Sequence, residues 1–425
     1  MSETGATMQW RRDIPVRYEA DVAVLGGGIA GVTAACAAAA SGASVVLVER
    51  FAVTGGNATS GGVAGFCGET AGQGEVFDEI LRDLESFNAI VPYAPYEVKQ
   101  GRTFDHEILA VILQELLLRR GVKLLLHTRF VDVEMRDNRI VACVVCGMSG
   151  PEGLSAKQYI DCTGEGQLAH MAGMETVKGR PEDGLQLPMS LMYFVRHTNQ
   201  AQEPQLPEGW FDPVRTEEDL PMTSPWPNGP GSTALKVKIP MFDSTDTEGM
   251  TAAEIQARRR MFEVLDFFQR VRKAPWRFDH CSPIIGIREG RRIVGQYELN
   301  VEDLRAGRAF DDAIARGVFY LDGHKPDDDK RTYILPRESL KIPPYHIPLR
   351  CLIPKDGANL MMAGRCMSAD QLALSSARVM TTGAMMGQAA GVTAAMAVAG
   401  TCDPRDIDAT DVRKSLIERG ANLEL

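Results

Sequence analysis

The N-terminal part of the chain contains short apolar segments separated by glycines. Residues 22–25 form a β-branched apolar run, residues 29–40 are rich in alanine, and residues 44–48 form a second apolar run. Short apolar runs beside turn residues are typical of buried strands, whereas a longer alanine-rich segment is typical of a helix. The pattern therefore predicts a strand, a glycine turn, a helix and a second strand over residues 22–48.

The glycines of this turn have the spacing G-x-G-x-x-G at Gly26, Gly28 and Gly31, and Glu49 follows the second strand. In such a unit the first glycine permits a sharp turn, the second leaves room for a pyrophosphate, and the third allows close helix packing. The helix N-terminus offers N–H groups to the phosphates, and the acid accepts hydrogen bonds from a ribose. We therefore predict a dinucleotide site; the alternative is a glycine-rich turn without a ligand.

Farther along the chain, apolar periodicity predicts further helices and strands. The predicted helices cover residues 75–87, 105–120, 251–272 and 302–316, the third because Thr251 and Glu254 have capping-box spacing. The predicted strands cover residues 123–127, 129–136, 139–146, 189–196, 282–288, 292–297 and 360–363, and residues 159–166 form a strand ending in a glycine turn. Residues 200–231 are rich in proline and acid, which predicts a long loop acting as a lid or an interface.

A second glycine-rich loop, residues 50–62, directly follows Glu49. A loop of small residues at this place suits a long cofactor that continues past the first strand toward a ring system. These segments, together with residues 288–297, 359–366 and 378–391, resemble the widespread bacterial family of FAD-dependent oxidoreductases. The fold of that family is related to the flavoprotein subunits of fumarate reductase and succinate dehydrogenase. The resemblance covers about residues 20–425 and is weakest from about 200 to 275.

The resemblance implies FAD as the cofactor, which we expect to be non-covalent because no covalent anchor is identifiable. It implies that the strand around Val131 runs beside the adenine and that Thr163 and Gly164 close the first lobe below the pyrophosphate. It also implies that the last glycine-rich helix directs its positive N-terminal end at the flavin, where it stabilises the negative charge of the reduced ring. The alternatives are a plain turn and a packed Gly/Ala helix. The expected cofactor-binding residues are Gly26, Gly28, Ile29, Ala30, Gly31, Glu49, Arg50, Gly55, Gly56, Asn57, Thr59, Ser60, Val131, Thr163, Gly164, Gly364, Arg365, Thr382, Gly383, Gly387 and Gln388.

A length of 425 residues is long for one hydrophobic core and indicates two domains. We expect an α/β fold in which residues 20–175 and 345–425 form a discontinuous Rossmann-type FAD-binding domain. Residues 176–344 are expected to form an inserted α+β substrate domain, and residues 1–19 an N-terminal tail.

Composition excludes several classes of protein. The formal net charge of −10 argues against a nucleic-acid or anionic-membrane partner, since both require a basic face. Glycines and serines interrupt the longest apolar stretch, so no transmembrane helix is expected, and the arginine pair at residues 11–12 is not followed by a signal-like apolar segment. We expect a cytoplasmic protein that acts on a small-molecule substrate, and homo-oligomerisation is left open.

The nine cysteines lack the spacing of a disulfide framework or an iron–sulfur site. Cys143 and Cys146 form a C-x-x-C, but on a strand these two positions face opposite sides of the sheet. We therefore expect buried hydrophobic cysteines and no metal site.

Flavin chemistry requires a protein group that manages a proton, and histidine is the usual one. His280 precedes the strand predicted at residue 282, and His346 lies where the chain returns to the FAD domain, with Tyr345 beside it as a candidate acid. The alternative for each histidine is a structural role.

Arg288 and Arg292 lie on the predicted substrate sheet. Arginine binds carboxylates in a bidentate manner, so the pair is a candidate clamp for an anionic substrate. The alternative is ion pairing with Glu289 and Glu298.

Three functions remain open from the sequence. The favoured one is hydride transfer between a small polar metabolite and N5 of the flavin. An anionic metabolite is one version of this function. The second is a flavin monooxygenase, and the third is a flavin-binding subunit of a larger complex, with residues 210–230 as the partner surface.

Overall fold

Strands and helices alternate through the N-terminal third of the chain and recur at its C-terminal end. The computed structural model describes residue 8 and residues 11–92, 102–202, 206–330 and 333–425. Its helices are α1 (Ile29–Ala40), α2 (Glu75–Ser86), α3 (His106–Arg119), α4 (Gln167–Met171), α5 (Thr247–Arg270), α6 (Val301–Arg305), α7 (Gln371–Ala377), α8 (Met380–Gly400) and α9 (Ala409–Glu418). Its strands are β1 (Val16–Leu25), β2 (Val45–Val48), β3 (Gly65–Phe66), β4 (Ile90–Pro92), β5 (Arg102–Phe104), β6 (Lys123–Leu125), β7 (Arg129–Arg136), β8 (Arg139–Gly147), β9 (Gly150–Asp161), β10 (Thr176–Lys178), β11 (Met189–His197), β12 (Thr223–Pro227), β13 (Ser232–Ile239), β14 (Trp276–Cys281), β15 (Arg291–Ile293), β16 (Ala313–Gly317), β17 (Tyr345–Pro348) and β18 (Leu360–Met362).

A sheet with a parallel centre organises the N-terminal third of the chain and its C-terminal end. Its strand order is β6-β2-β1-β9-β8-β7, and β18 pairs in parallel with the C-terminal end of β9. The buried β-branched residues of β1 and β2 favour this arrangement, because parallel strands are covered on both faces. The predicted βαβ unit and the α/β fold class are thereby confirmed. Strand β9 is longer than the sequence predicts, because its N-terminal half pairs with the hairpin strand β8.

Helix α8 packs against α1 through glycines on its surface. A Cβ atom at Gly387 would lie 2.1 Å from the carbonyl oxygen of Ala30, and one at Gly391 would lie 2.2 Å from that of Ala34. The two helices therefore approach closely enough for their backbones to touch, which no other residue type at these positions permits. This contact places the N-terminal end of α8 beside the glycine turn.

A four-stranded antiparallel sheet has the order β12-β13-β11-β14, and we refer to it as the cap sheet because its residues form one wall of a cavity against the first sheet's part of the chain. Side chains alternate between the faces of a strand. Residues such as Leu191 and Leu235 belong to the hydrophobic core that includes α5, whereas Ser190, Met192 and Lys236 face a cavity. The two faces of the cap sheet thus have different partners.

Several predicted elements in residues 200–316 are wrong. Strand β12 lies inside the predicted loop, at the edge of the cap sheet, where proline is tolerated because one side of the strand needs no hydrogen bonds. Helix α5 begins before Thr251: Asp246 caps it by accepting a hydrogen bond from the Gly249 N–H at 2.7 Å. Helix α6 ends at Arg305, and Gly307 follows with a positive φ of 57°.

The strand predicted over residues 282–288 does not form, and the one predicted over residues 292–297 is the shorter strand β15. Strand β15 pairs with β10, and residues 282–288 cross the molecule with one isolated bridge between Ser190 and Gly286. A Cβ atom at Gly290 would lie 2.8 Å from the Cα of Glu165, so this segment runs close over the nucleotide-binding turn instead of turning back on itself.

Strand β16 belongs to the segment predicted as an insertion, but it pairs with β17, which begins at Tyr345 in the predicted FAD-binding domain.

In the described part of the chain, none of the helices has the length and apolar character needed to cross a bilayer.

Candidate functional site

A cleft opens at the carboxyl ends of the parallel strands, where α/β sheets bind ligands. Strands β1, β2, β9 and β18 end at this edge, and the residues that follow them line the cleft. Among these residues are Gly26 after β1, Glu49 after β2, Gly164 after β9 and Gly364 after β18.

Each glycine of the first turn has the role that the spacing predicts. Gly26 has a φ of 101°, and its Cβ would lie 2.4 Å from the carbonyl oxygen of Cys162. A Cβ at Gly31 would lie 1.9 Å from the carbonyl oxygen of Gly26, so only glycine lets α1 start this close to the turn. A Cβ at Gly28 would meet nothing within 4 Å. The space beside Gly28 is therefore open to a ligand.

Glu49 holds the glycine turn in place. Its carboxylate accepts hydrogen bonds from the N–H of Gly27 at 2.7 Å and from that of Phe51 at 2.9 Å. The side chain is buried, and burial raises the pKa of its carboxyl, although the two N–H donors oppose the shift. A carboxylate has about four acceptor positions, so two remain for further donors.

Most of the expected cofactor-binding residues line the cleft. They are Gly26, Gly28, Ile29, Ala30, Glu49, Arg50, Gly55, Gly56, Asn57, Thr163, Gly164, Gly364, Arg365 and Gly383. Thr163 is fixed by Asp161, whose carboxylate accepts hydrogen bonds from the Thr163 N–H at 3.0 Å and hydroxyl at 2.7 Å.

The remaining expected residues support the cleft without lining it; they are Gly31, Thr59, Ser60, Val131, Thr382, Gly387 and Gln388. The Thr59 hydroxyl donates to the carbonyl oxygen of Thr54 at 2.7 Å. Gln388 accepts a hydrogen bond from the Val76 N–H at 3.3 Å, at the start of α2. Val131 is 36% exposed, and the cleft is lined by the residues that precede it, Thr128, Arg129 and Phe130.

Two features of the cleft suit a diphosphate joined to a flat ring. The N-terminal end of the long helix α8 borders it through Val379, Met380 and Gly383, and such an end attracts negative charge. The Nη2 of Arg365 donates to Glu165 at 2.7 Å, whereas its Nε is buried without a hydrogen-bond partner among the described residues. An unpaired buried donor beside open space fits an absent ligand that supplies the acceptor.

A second cavity of about 330 Å³ adjoins the cleft, and we refer to it as the substrate cavity. Asn57, Arg378, Val379 and Met380 line both spaces. The cap sheet forms the opposite wall through Met192, Lys236 and neighbouring side chains. Asn57 ties the two parts together, because its Nδ2 donates to the carbonyl oxygen of Ile287 at 2.9 Å.

Comparison with known proteins identifies the cleft. The family model described as FAD dependent oxidoreductase matches residues 21–416. The chain belongs to this family. FAD is therefore the cofactor.

Individual relatives cover the chain less completely. Thiamine thiazole synthase from Pyrococcus horikoshii is 31% identical over 163 residues, which are 36% of this chain and 61% of that protein. The solved structure of BexE, described in relation to oxidation during BE-7585A biosynthesis, has a TM-score of 0.51 and 15% identity over 94% of this chain and 66% of its own. A geranylgeranyl bacteriochlorophyll reductase-like protein from Thermoplasma acidophilum has a TM-score of 0.49 and 12% identity over 94% of this chain and 83% of its own. At 15% identity, the likeness to BexE concerns the fold alone.

Charged groups converge in the substrate cavity of the oxidoreductase. Asp322 lies at the centre of this group. Its carboxylate accepts hydrogen bonds from Nε2 of His324 at 3.0 Å and from Nη2 of Arg378 at 3.0 Å, and Nη1 of Arg288 lies 3.5 Å from the same carboxylate. Burial opposes ionisation of Asp322, but these three neighbours lower the pKa of its carboxyl well below its usual range. Asp322 is therefore an anion throughout the physiological range.

Lys236, on the cap sheet, lines the same cavity as these charged residues. Burial, and next the charge of Arg288, lower the pKa of Lys236 to about 7. The same two causes lower the pKa of His324 to about 3, so this imidazole is neutral at pH 7. The cavity thus concentrates cationic groups around one carboxylate.

The expected catalytic residues separate into two groups. Arg288 lines the substrate cavity, and its Nη2 donates to the hydroxyl of Ser190 at 3.1 Å. Arg292 instead forms a buried ion pair with Glu289, which is the structural alternative, and its Nη2 donates to the carbonyl oxygen of Gly179 at 2.9 Å.

Tyr345, His346 and His280 do not line either space. The Tyr345 hydroxyl is buried against that of Ser376 at 2.8 Å. The His346 ring accepts from the N–H of Phe310 at 3.1 Å and pairs through Nε2 with the carbonyl oxygen of Leu423 at 2.9 Å. His280 stacks on Phe194, with ring centroids 4.5 Å apart. The geometry gives these three side chains structural contacts.

The sequence reasoning missed Lys236, Asp322 and His324. The short pattern Asp-Gly-His at residues 322–324 was available, since a carboxylate two residues from a histidine can fix its tautomer. Lys236 and Lys238 alternate with the apolar residues Leu235, Val237 and Ile239, which is a strand pattern that the proline-rich surroundings concealed.

Proposed function

We propose that this FAD-dependent oxidoreductase transfers a hydride between a small polar metabolite, held in the substrate cavity, and the flavin. The observation that carries the proposal is the wall shared by the two spaces, formed by Asn57, Arg378, Val379 and Met380. When bound, FAD supplies a two-electron acceptor or donor. A substrate in the adjoining cavity would then lie next to the cofactor without a further domain movement.

The protein's own contribution is binding and orientation. Gly28 and the start of α1 leave space and N–H groups for the diphosphate, and Arg365 offers an unpaired Nε. Arg378 lies on the shared wall with its guanidinium fixed on Asp322, so it keeps one cation between the substrate and the cofactor. The aromatic residues Phe66, Phe319 and Tyr320 line the substrate cavity and restrict water.

The domain division is part of this proposal: residues 20–175 and 345–425 bind FAD, and residues 176–344 supply the cap. We also propose that FAD is held non-covalently and that the protein acts in the cytoplasm. The cysteines are free thiols in the structure, which suits a reducing compartment.

The test is a visible absorption spectrum of the purified protein, repeated on the supernatant after acid precipitation. A flavin spectrum released by acid is expected. Small polar acids and alcohols are then added one at a time under anaerobic conditions. One of them should reduce the flavin and bleach its absorption. Bleaching by NADH or NADPH followed by oxygen insertion into a product would replace the proposal with a monooxygenase. A yellow protein that no metabolite reduces until a second chain is added would replace it with a subunit role.

A further inference from the structure

Three polar atoms around the substrate cavity lack hydrogen-bond partners among the described residues. They are Nη1 of Arg288, Nε of Arg378 and Nδ1 of His324, and all three atoms are buried. A buried donor or acceptor without a partner destabilises the fold, so native proteins rarely keep several together unless a ligand or water completes them. Their position around one cavity points to a specific ligand.

The charges in the cavity do not balance. Asp322 is the carboxylate at the centre, and Arg288, Arg378 and Lys236 are the cations that face it. The Asp322 carboxylate is already engaged by Arg378 and His324, and the Nζ of Lys236 makes no hydrogen bond or ion pair with the described residues. When Lys236 is protonated, the three cations exceed the single charge of Asp322 by two, and their mutual repulsion favours binding of a further anion. The missing partner is therefore negatively charged.

The histidine adds a different requirement. Because Nε2 of His324 donates to Asp322 at 3.0 Å, the neutral ring carries its hydrogen on Nε2 and leaves Nδ1 as an acceptor. The low pKa of this ring keeps Nδ1 an acceptor at pH 7. The ligand must therefore supply a hydrogen-bond donor. An ammonium group is disfavoured because Lys236, Arg288 and Arg378 would repel it. The donor is therefore a neutral group, and we take the hydroxyl as the simplest one.

We propose that the substrate cavity binds a hydroxy carboxylic acid, with Lys236 and Arg288 on the carboxylate and Nδ1 of His324 on the hydroxyl. This inference rests on the proposed function in one respect, since it takes this cavity as the substrate site. The aromatic side chains Phe66, Phe319, Tyr320 and Trp226 complete the wall, so the acid carries an apolar or aromatic remainder.

Binding of three related probes to the holoenzyme tests the proposal. Mandelate has the carboxylate, the hydroxyl and an aromatic ring, phenylacetate lacks the hydroxyl, and mandelamide lacks the charge. Affinity is read from calorimetry and from the shift of the flavin absorption bands, without turnover. We expect phenylacetate to bind about tenfold more weakly than mandelate and mandelamide about a hundredfold more weakly. Equal binding of mandelate and mandelamide would overturn the carboxylate site, and equal binding of mandelate and phenylacetate would overturn the hydroxyl contact.

The variant Lys236→Met separates recognition from general charge effects. It should lower the affinity for mandelate and for phenylacetate by about tenfold each and leave the affinity for mandelamide unchanged. That pattern would assign the loss to the ion pair between Lys236 and the carboxylate of the probe. Its matched control is Lys355→Met, which removes a 60% exposed lysine paired with Glu175 and should leave the affinities for all three probes unchanged. Because burial already lowers the pKa of Lys236, removing its ammonium should not lower the melting temperature.

The probe measurements separate this inference from the proposed function. Tight binding of mandelate without flavin reduction by any hydroxy acid would support the site and oppose hydride transfer there. Flavin reduction by a neutral metabolite that does not compete with mandelate would support hydride transfer and overturn the hydroxy acid. The series on the unmodified protein decides the matter even if Lys236→Met does not fold.

Discussion

The two glycines at the start of α1 make opposite predictions about stability. Gly31→Ala would place a Cβ 1.9 Å from the carbonyl oxygen of Gly26, and ordinary contacts begin near 3.4 Å, so the helix must retreat by about 1.5 Å. Overpacking of this kind costs about 1–3 kcal/mol, and a rigid carbonyl places this case near the upper end. The higher helix propensity of alanine returns about 1 kcal/mol. We expect a net loss of about 2 kcal/mol in the free energy of unfolding of the apoprotein.

Gly28→Ala is the matched variant. Its Cβ meets no atom within 4 Å, and its φ of −64° suits alanine, so the apoprotein should change by less than about 0.5 kcal/mol. The new methyl group instead occupies space beside the phosphates, and FAD affinity should fall at least about tenfold.

The assay for both variants is urea denaturation of apoprotein, followed by thermal melts with increasing FAD. Binding to the native state raises the melting temperature with ligand concentration. The unmodified protein should show this rise, Gly28→Ala should show a reduced rise from an unchanged starting point, and Gly31→Ala should start lower. The reasoning is refuted if Gly28→Ala destabilises the apoprotein as much as Gly31→Ala does, or if Gly28→Ala keeps full FAD affinity.

Three further predictions concern residues around the cap. Glu289→Gln removes the partner of Arg292 from a buried pair and should lower the free energy of unfolding by about 3–5 kcal/mol in urea titrations; a loss below about 1 kcal/mol would contradict the structural role. The pKa of His324 is about 3 in the folded protein, below its value in the unfolded chain, so the unfolded chain binds a proton first as the pH falls. The free energy of unfolding should therefore decrease as the pH drops from about 6.5 toward 3. His324→Gln should flatten this part of the pH profile. Tyr345→Phe loses its contact with Ser376 but should leave the anaerobic rate of flavin reduction unchanged, and a slowing of more than about tenfold would return Tyr345 to the catalytic candidates.

The nucleotide-binding part was predictable because local rules and the fold agree there. The spacing of Gly26, Gly28 and Gly31 is dictated by contacts within about thirty residues, and α1 begins and ends where the alanine-rich run does. Glu49 was expected at the cleft and lies there. In such a unit the sequence pattern carries most of the geometry.

The cap was harder to predict because distant contacts decide its elements. Strand β12 contains Pro225 and Pro227 and is a strand only because β13 supplies its partner. Glu254, expected in a capping box, instead accepts a hydrogen bond from the N–H of Ile285 at 2.8 Å. His346 is satisfied by two backbone groups far away in sequence, which no local pattern reveals. For the same reason, the sequence did not reveal that Tyr345, His346 and His280 lie outside the lining of both spaces.

Side chains alternate between the two faces of each cap strand, so one set of positions contributes to the hydrophobic core and the other faces the cavity. Odd-numbered residues such as Leu235 and Val237 hold the sheet on α5, whereas Lys236 between them faces the cavity. Substitutions at the cavity positions can therefore accumulate during divergence without loosening the hydrophobic core. Members of the family with the same cap are expected to differ most at these alternate positions, and a designer seeking a new substrate would start with Ser190, Met192 and Ser224. A one-residue insertion in β13 would have the opposite effect, because it would turn the core positions toward the substrate and the lysine toward α5.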